Sequence, residues 1–162
     1  MNQQVLEAKQ NVVKEIADKT KKSGSVTIAE FRGLTVSQIQ QLRRDLREVN
    51  AELSVYKNSL VTRAVDQLGY KGLDDLLVGP NALIFSKDLS EGPKVLKKYS
   101  RRFGDVLTIK GGIAEGKTLD KAGIIEVATL PDKDGMISMF LSCLQAPIRQ
   151  FACAVQAVAD AK

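Results

Sequence analysis

The chain contains no histidine. That absence removes triads that need imidazole and every metal site built on histidine. Cysteine is scarce: Cys143 and Cys153 lie ten residues apart in a stretch with helical spacing. Ten residues of helix rise roughly 15 Å, and a disulfide needs Cα atoms within about 7 Å. The two thiols cannot bridge within the chain, and a reduced, cytosolic protein is expected. Long apolar runs are missing too. No segment approaches the roughly 18 residues of a membrane span, and the opening MNQQVLEAKQ lacks the apolar core of a signal peptide. No membrane partner is expected. No paired carboxylates stand in an apolar setting, so no acid–base site is suggested. No cofactor is expected, and the protein is not expected to be an enzyme.

What the chain does have is 44% hydrophobic residues, enough for a core, and a net charge of +5. The charge is unevenly placed. Residues 1–75 hold 12 Lys/Arg against 10 Asp/Glu, residues 76–130 hold 9 against 6, and residues 131–162 hold 3 against 3. The basic excess therefore belongs to the first 130 or so residues, and the C-terminal stretch is neutral. A moderately basic globular part is compatible with a nucleic-acid partner.

The neutral stretch carries the strongest pattern. Ile137, Phe140, Leu144, Ile148, Phe151, Val155 and Val158 recur at spacings of 3, 4, 4, 3, 4 and 3, which places them on one helical stripe. Leu141 and Met136 widen it. Ser138, Ser142, Gln145, Arg149, Gln156 and Asp160 take the opposite face. A helix of this length spans roughly 40 Å, too long for a domain of this size to cover easily, and an uncovered stripe is an aggregation hazard. A partner is the natural reading. Pro147 divides the stripe into halves, Ile137, Phe140, Leu141 and Leu144 before it and Ile148, Phe151, Val155 and Val158 after it. The two halves are of similar length. A helix packed back on its own domain is the alternative.

Elsewhere the pattern predicts a helix over 2–22 with Val5, Leu6, Val12, Val13 and Ile16 on its apolar face, and a strand over 25–31. A helix capped by Thr35 or Ser37 follows, then a strand over 51–57. Asn58 or Ser59 caps a helix through Leu68, and a short helical piece covers 73–77. A strand over 81–86, a helix from the Ser90 cap to Phe103, a strand over 106–110 and a short helix over 120–128 complete the series, with a last helix starting at Pro131 or Asp132. Strand, helix, strand, twice over, is a split βαβ pattern. The fold expected is α+β, a ferredoxin-like sandwich with an N-terminal helix and a long C-terminal amphipathic helix. The domains expected are 1–130 and 131–162.

Three motifs invite chemistry. GGIAEGKT (111–118) satisfies the Walker A spelling after a strand, with Lys117 placed to reach phosphates. Yet only 44 residues follow Thr118, with no apolar strand ending in Asp to hold magnesium. A glycine-rich turn after a strand is favoured. FRGLTV (31–36) sets Arg32, Gly33 and Leu34 in a turn before a helix N-terminus. KNSL (57–60) sets Lys57, Asn58 and Ser59 at the next such junction, with Arg63 on the second turn. Taken singly each is a cap; sister βα turns on one sheet edge would share a phosphate-contact surface. Lys94, Lys97, Lys98, Arg101 and Arg102 form a basic helix face, whose usual reading is a solvated one.

These segments in this order, together with LRRDLR (42–47), VGPNALIFS (78–86), KGGIAEG (110–116), ATLPDKD (128–134) and the closing QAPI helix, closely resemble the bacterial large-subunit ribosomal protein of the stalk base. The resemblance runs essentially the length of the chain. It implies a globular domain bound to large-subunit rRNA beside another stalk-base protein. It also implies a C-terminal helix carrying dimers of the acidic stalk protein, which recruit translational GTPases, and repression of the protein's own message through a leader that mimics the rRNA site. The ribosome would be the location. The Walker-like segment becomes the family's turn after a strand. The long acidic tail of archaeal and eukaryotic relatives is absent, so the bacterial form is meant. The competing readings are a small nucleotide-binding protein using 111–118 and, without RNA, a helix-docking adaptor.

Overall fold

The computed structural model describes residues 3–70 and 72–160. The chain separates into two compact units, Met1–Thr129 and Leu130–Lys162. In the first, the order is α1 (Gln3–Lys22), β1 (Ser25–Glu30), α2 (Val36–Glu48), β2 (Ala51–Ser54), α3 (Asn58–Leu68), β3 (Asn81–Ser86), α4 (Glu91–Phe103), β4 (Thr108–Ala114), β5 (Lys117–Asp120) and α5 (Lys121–Val127). Short 3₁₀ turns cover Asp74–Leu77 and Gly104–Val106, and the second unit holds α6 (Lys133–Asp160). Val5 and Leu6 lie outside the residues whose side chains are described.

The strands form one sheet in the order β2-β3-β1-β4-β5. β3 lies antiparallel between β1 and β2, and β1 antiparallel between β3 and β4. β1 and β2 are thus parallel with one strand between them, the split βαβ arrangement of an α+β, ferredoxin-like sheet. Successive side chains on a strand point to opposite faces, and here both faces are covered. Val26, Ile28, Leu83, Phe85 and Ile113 meet Val13 and Ile16 of α1 and Val61, Ala64 and Val65 of α3. Ala29, Ala82, Ile84 and Ile109 meet Leu42 and Leu46 of α2, Leu96 and Tyr99 of α4, and Ile124 of α5. Three layers result, helices–sheet–helices.

Three boundaries differ from the pattern in the sequence. The fourth strand runs over 108–114 instead of 106–110, and the glycine pair lies inside it, not in a turn. A Cβ at Gly112 would stand 2.2 Å from the carbonyl oxygen of Val26, so the close approach of β1 and β4 requires a residue without a side chain. The turn comes later. Glu115 (φ 50°) and Gly116 (φ 77°) are both left-handed, and Ala114 pairs with Lys117 across them. Positive φ at both central residues is the demand of a tight two-residue hairpin, and it creates a fifth strand absent from the expectation. Third, β2 ends at Ser54, and Val55–Lys57 form its exit loop. Tyr56 turns toward α1, where its hydroxyl donates to Glu15 Oε1 (3.0 Å).

Candidate functional site

The register fixes which loops share an end of the sheet. Glu30 pairs with Asn81 on one side and with Thr108 on the other, while Ser54 pairs with Leu83. The exits of β1 and β2 and the entries of β3 and β4 therefore gather at one end. The two basic junctions read from the sequence sit there in sister positions.

At the first junction, Gly33 has φ 97°, a conformation that L side chains rarely adopt, and this lets the chain reverse from β1 into α2 within a few residues. Arg32 and Gly33 are exposed, and Leu34 is half-buried. Thr35 is the N-cap of α2; its backbone N–H donates to Gln38 Oε1 (2.9 Å), half of a capping box. Arg32 precedes the N-terminus of α2, and the free N–H groups of a helix's first turn suit an anion.

At the second junction the N-cap of α3 is Lys57, not Asn58 or Ser59. Its side chain has no capping oxygen and is exposed at the head of the helix. Asn58 instead donates its Nδ2 to the carbonyl of Gly79 (2.9 Å), tying α3 to the loop that enters β3. The same loop is held by Asn81 Nδ2 on the Leu76 and Val78 carbonyls (3.3 and 3.4 Å) and by Lys110 Nζ on Val78 (2.5 Å). Lys110 is the residue skipped where the β1–β4 register shifts, and it also pairs with Glu30 Oε2 (2.9 Å). Three elements thus fix residues 78–80 between the two junctions, leaving Val78 exposed. The sequence pattern left this middle loop out, because its ties from Asn58 and Lys110 span 21 and 32 residues.

Arg63 is exposed and lines a groove of about 700 Å³ with Lys9, Gln10, Lys14 and Gln67, floored by Val13 and Leu60. Lys9 and Lys14 were missed from sequence because α1 read only as an amphipathic helix. Further along, α1 is clamped to β2. Lys19 Nζ meets Glu52 Oε1 (2.8 Å) and Glu15 Oε1 (3.1 Å). The Glu52 carboxylate, more than Glu15, holds the Lys19 ammonium well above its ordinary pKa. Lys19 in turn holds both carboxyls below theirs. This clamp sets the position of the β2 exit and of Lys57 behind it.

Residues 111–118 take no part in that end. They are strand, tight turn and strand, with Lys117 and Thr118 inside β5. A P-loop needs those two residues to open a helix whose N–H groups cradle phosphate. The hairpin supplies no such helix, so the Walker spelling is coincidental. No group of residues that could hold a metal ion occurs among the described residues.

In the second unit, α6 runs unbroken for 28 residues with Pro147 inside it, and no described residue of it is buried. Ile137, Phe140, Leu141, Leu144, Ile148, Phe151, Val155 and Val158 are all exposed, Ile148 and Phe151 by about three quarters. Contiguous apolar exposure on this scale is rare on monomeric proteins. Pro147 has no N–H for the carbonyl of Cys143 four residues back, so the ladder loses a bond at mid-helix. Among the described residues no helix is long and apolar enough to cross a membrane.

Two family descriptions match stretches of this chain. The family described as Ribosomal protein L10 matches residues 4–101, and the Ribosomal protein uL10 C-terminal region matches residues 130–162. Large ribosomal subunit protein uL10 of Bacillus cereus strain B4264 is 46% identical over 159 residues, covering 98% of this chain and 95% of that protein. The proteins of the same name from Bacillus cereus strain AH187 and Bacillus anthracis strain CDC 684 / NRRL 3495 match equally, at 46% over the same 159 residues. The chain therefore belongs to the uL10 family of large-ribosomal-subunit proteins, which are structural components of the ribosome and not enzymes.

Proposed function

We propose that this chain is a two-ended scaffold at the base of the large-subunit stalk. Its globular unit binds large-subunit rRNA at the sheet end, and α6 carries two dimers of an acidic stalk protein, one on each side of Pro147. In this reading Arg32, Lys57 and Arg63 contact phosphates, and the N–H groups around Gly33, Leu34 and Ser59 add to them. Asn58 acts indirectly, by fixing the loop at Gly79. A neighbouring stalk-base protein shares the rRNA site, and the message leader of the protein itself competes for it. The dimers then recruit translational GTPases.

One observation carries the reading: the exposed basic junctions and the exposed apolar stripe lie in separate compact units. Phosphate binding is long-range and salt-sensitive, whereas apolar docking concentrates in a few desolvated anchors. Each partner thus has a unit of its own to bind. Two measurements test it. Native mass spectrometry of the chain coexpressed with its acidic partner is expected to give five chains; a dominant seven-chain species breaks the two-halves assignment. Arg32→Ala and Lys57→Ala are each expected to flatten log K against log[salt] for rRNA by about one unit. Unchanged slope and affinity in both remove the junctions from the site.

A further inference from the structure

The outward face of α4 carries Lys94, Lys97, Lys98, Arg101 and Arg102, and the fold gives this charge run a placement, a shape and a fixed bearing. α4 leaves the far end of β3 and finishes where β4 begins, so its last turn, with Arg101 and Arg102, stands at the sheet end that holds Arg32 and Lys57. The five cations line one wall of a groove of about 650 Å³ closed by Ala128 and Thr129 at the end of α5. The inner face of α4 is anchored. Leu96 and Tyr99 are buried, and the Tyr99 hydroxyl donates to Asp45 Oδ2 of α2 at 2.6 Å. Lys97 Nζ donates to the carbonyl of Ile125 (3.4 Å), and the Arg102 guanidinium lies 5.8 Å from the Phe103 ring centroid. Lys98, Arg101 and Arg102 are exposed, and residues 92–104 contain no acidic residue.

We infer that this face of α4 is a second RNA-backbone contact, continuing the footprint from the sheet end along the α2–α4 layer; it rests on the rRNA reading above. The chemistry selects phosphate over protein. Protein interfaces centre on aromatic and aliphatic anchors and are depleted in lysine, whereas this wall is cationic and the opposite side offers only Ala128 and Thr129. Successive turns of helix set the cations about 5 Å apart along the axis, a row that tracks a backbone and carries no base-edge readout. Arg63 and Lys57 belong to α3 on the other side of the sheet, so the footprint wraps around the sheet end and engages two separated stretches of backbone.

The test uses the full chain and transcribed large-subunit rRNA. The triple variant Lys98→Ala/Arg101→Ala/Arg102→Ala is expected to flatten the salt slope by about two to three units, with thermal unfolding matching the wild type. The single variant Arg101→Gln is expected to flatten it by about one unit and carries the test if the triple variant does not fold. The contributions are expected to add to those of Arg32→Ala and Lys57→Ala, as for independent sites. If the α4 variants keep the full slope while Arg32→Ala and Lys57→Ala lose theirs, α4 is a solvated face and only this inference falls. If the wild type itself shows no salt-dependent rRNA binding, the rRNA reading falls with it. Loss of a copurifying acidic protein from the α4 variants, with rRNA binding intact, assigns the face to a protein and overturns the inference.

Discussion

Leu42 and Leu46 of α2 and Leu141 and Leu144 of α6 occupy the same kind of position, leucines at helical spacing on an apolar stripe. Their surroundings are opposite. The first two are sunk at 1% and 0% exposure, and the second two stand at 51% and 61%. In the globular unit, helices close on both faces of a sheet, and the stripes of α2, α3 and α4 find their cover within the unit. Among the described residues of the second unit, α6 stands without a strand or a second helix. Amphipathicity therefore says that a face will be covered, and the topology around it says whether the cover is internal. Burial within the chain stabilises the first unit; under the proposed function, the cover for the second comes from its partner.

The largest test of that contrast is a matched pair of truncations. Leu46→Ala is expected to cost about 2–5 kcal/mol of unfolding free energy, read by denaturant titration of the isolated chain. Leu144→Ala in the same assay is expected to stay within about 0.5 kcal/mol, as for a surface site. Equal costs erase the contrast. Next in size, Phe151→Asp is expected to remove one dimer from the coexpressed complex, changing five chains to three by native mass, with rRNA affinity unaltered. Unfolding of the globular unit by that change makes the stripe a core element and ends the platform reading.

Two smaller effects sharpen the comparison by pH, and both arise in the globular unit. Burial, reinforced by Asp45, pushes the Tyr99 phenol from 10 up to about 12. A raised folded pKa means stability that is present below the unfolded value and lost as pH rises through the folded one. Melting temperature is expected to fall between about pH 10 and 12, and less steeply in Tyr99→Phe. The smallest effect is at the acid side. Glu15 and Glu52 are held below their ordinary 4.5 by Lys19, so the clamp between α1 and β2 contributes above that value and is lost as pH falls below it. Since the clamp is solvent-exposed, the expected shift in melting temperature is small; Lys19→Met is expected to abolish it.

Most of the fold was legible because its signals are local. The alternating, β-branched run at 25–31, the short apolar run at 81–86 and the helical stripe of α6 are each read from neighbouring residues alone. β5 was not legible. Its residues, Lys117 to Asp120, are mostly exposed and show no apolar alternation, and its turn is Glu-Gly, not the strong Asn-Gly or Asp-Gly signal. The glycine pair misled for a related reason. A glycine demanded by a neighbouring backbone looks, in one sequence, like a glycine demanded by a turn, and the carbonyl of Val26 that excludes a side chain at Gly112 is 86 residues away. The candidate junctions were visible as motifs, but the cap at Lys57, the tie from Asn58 to Gly79 and the loop between the junctions depend on contacts that only the register creates.

The two outermost strands have a consequence for solubility. β2 and β5 are four residues each, and they carry Glu52 on one border and Lys117 and Asp120 on the other. Short, charged borders are poor templates for recruiting a strand from another molecule. The sheet is thus guarded against stacking into fibrils in a crowded cytosol, while α6 is left sticky along its whole length. Turbidity in a preparation of the lone chain should accordingly be amorphous and helix-mediated, clearing on addition of the stripe's partner and showing no cross-β diffraction.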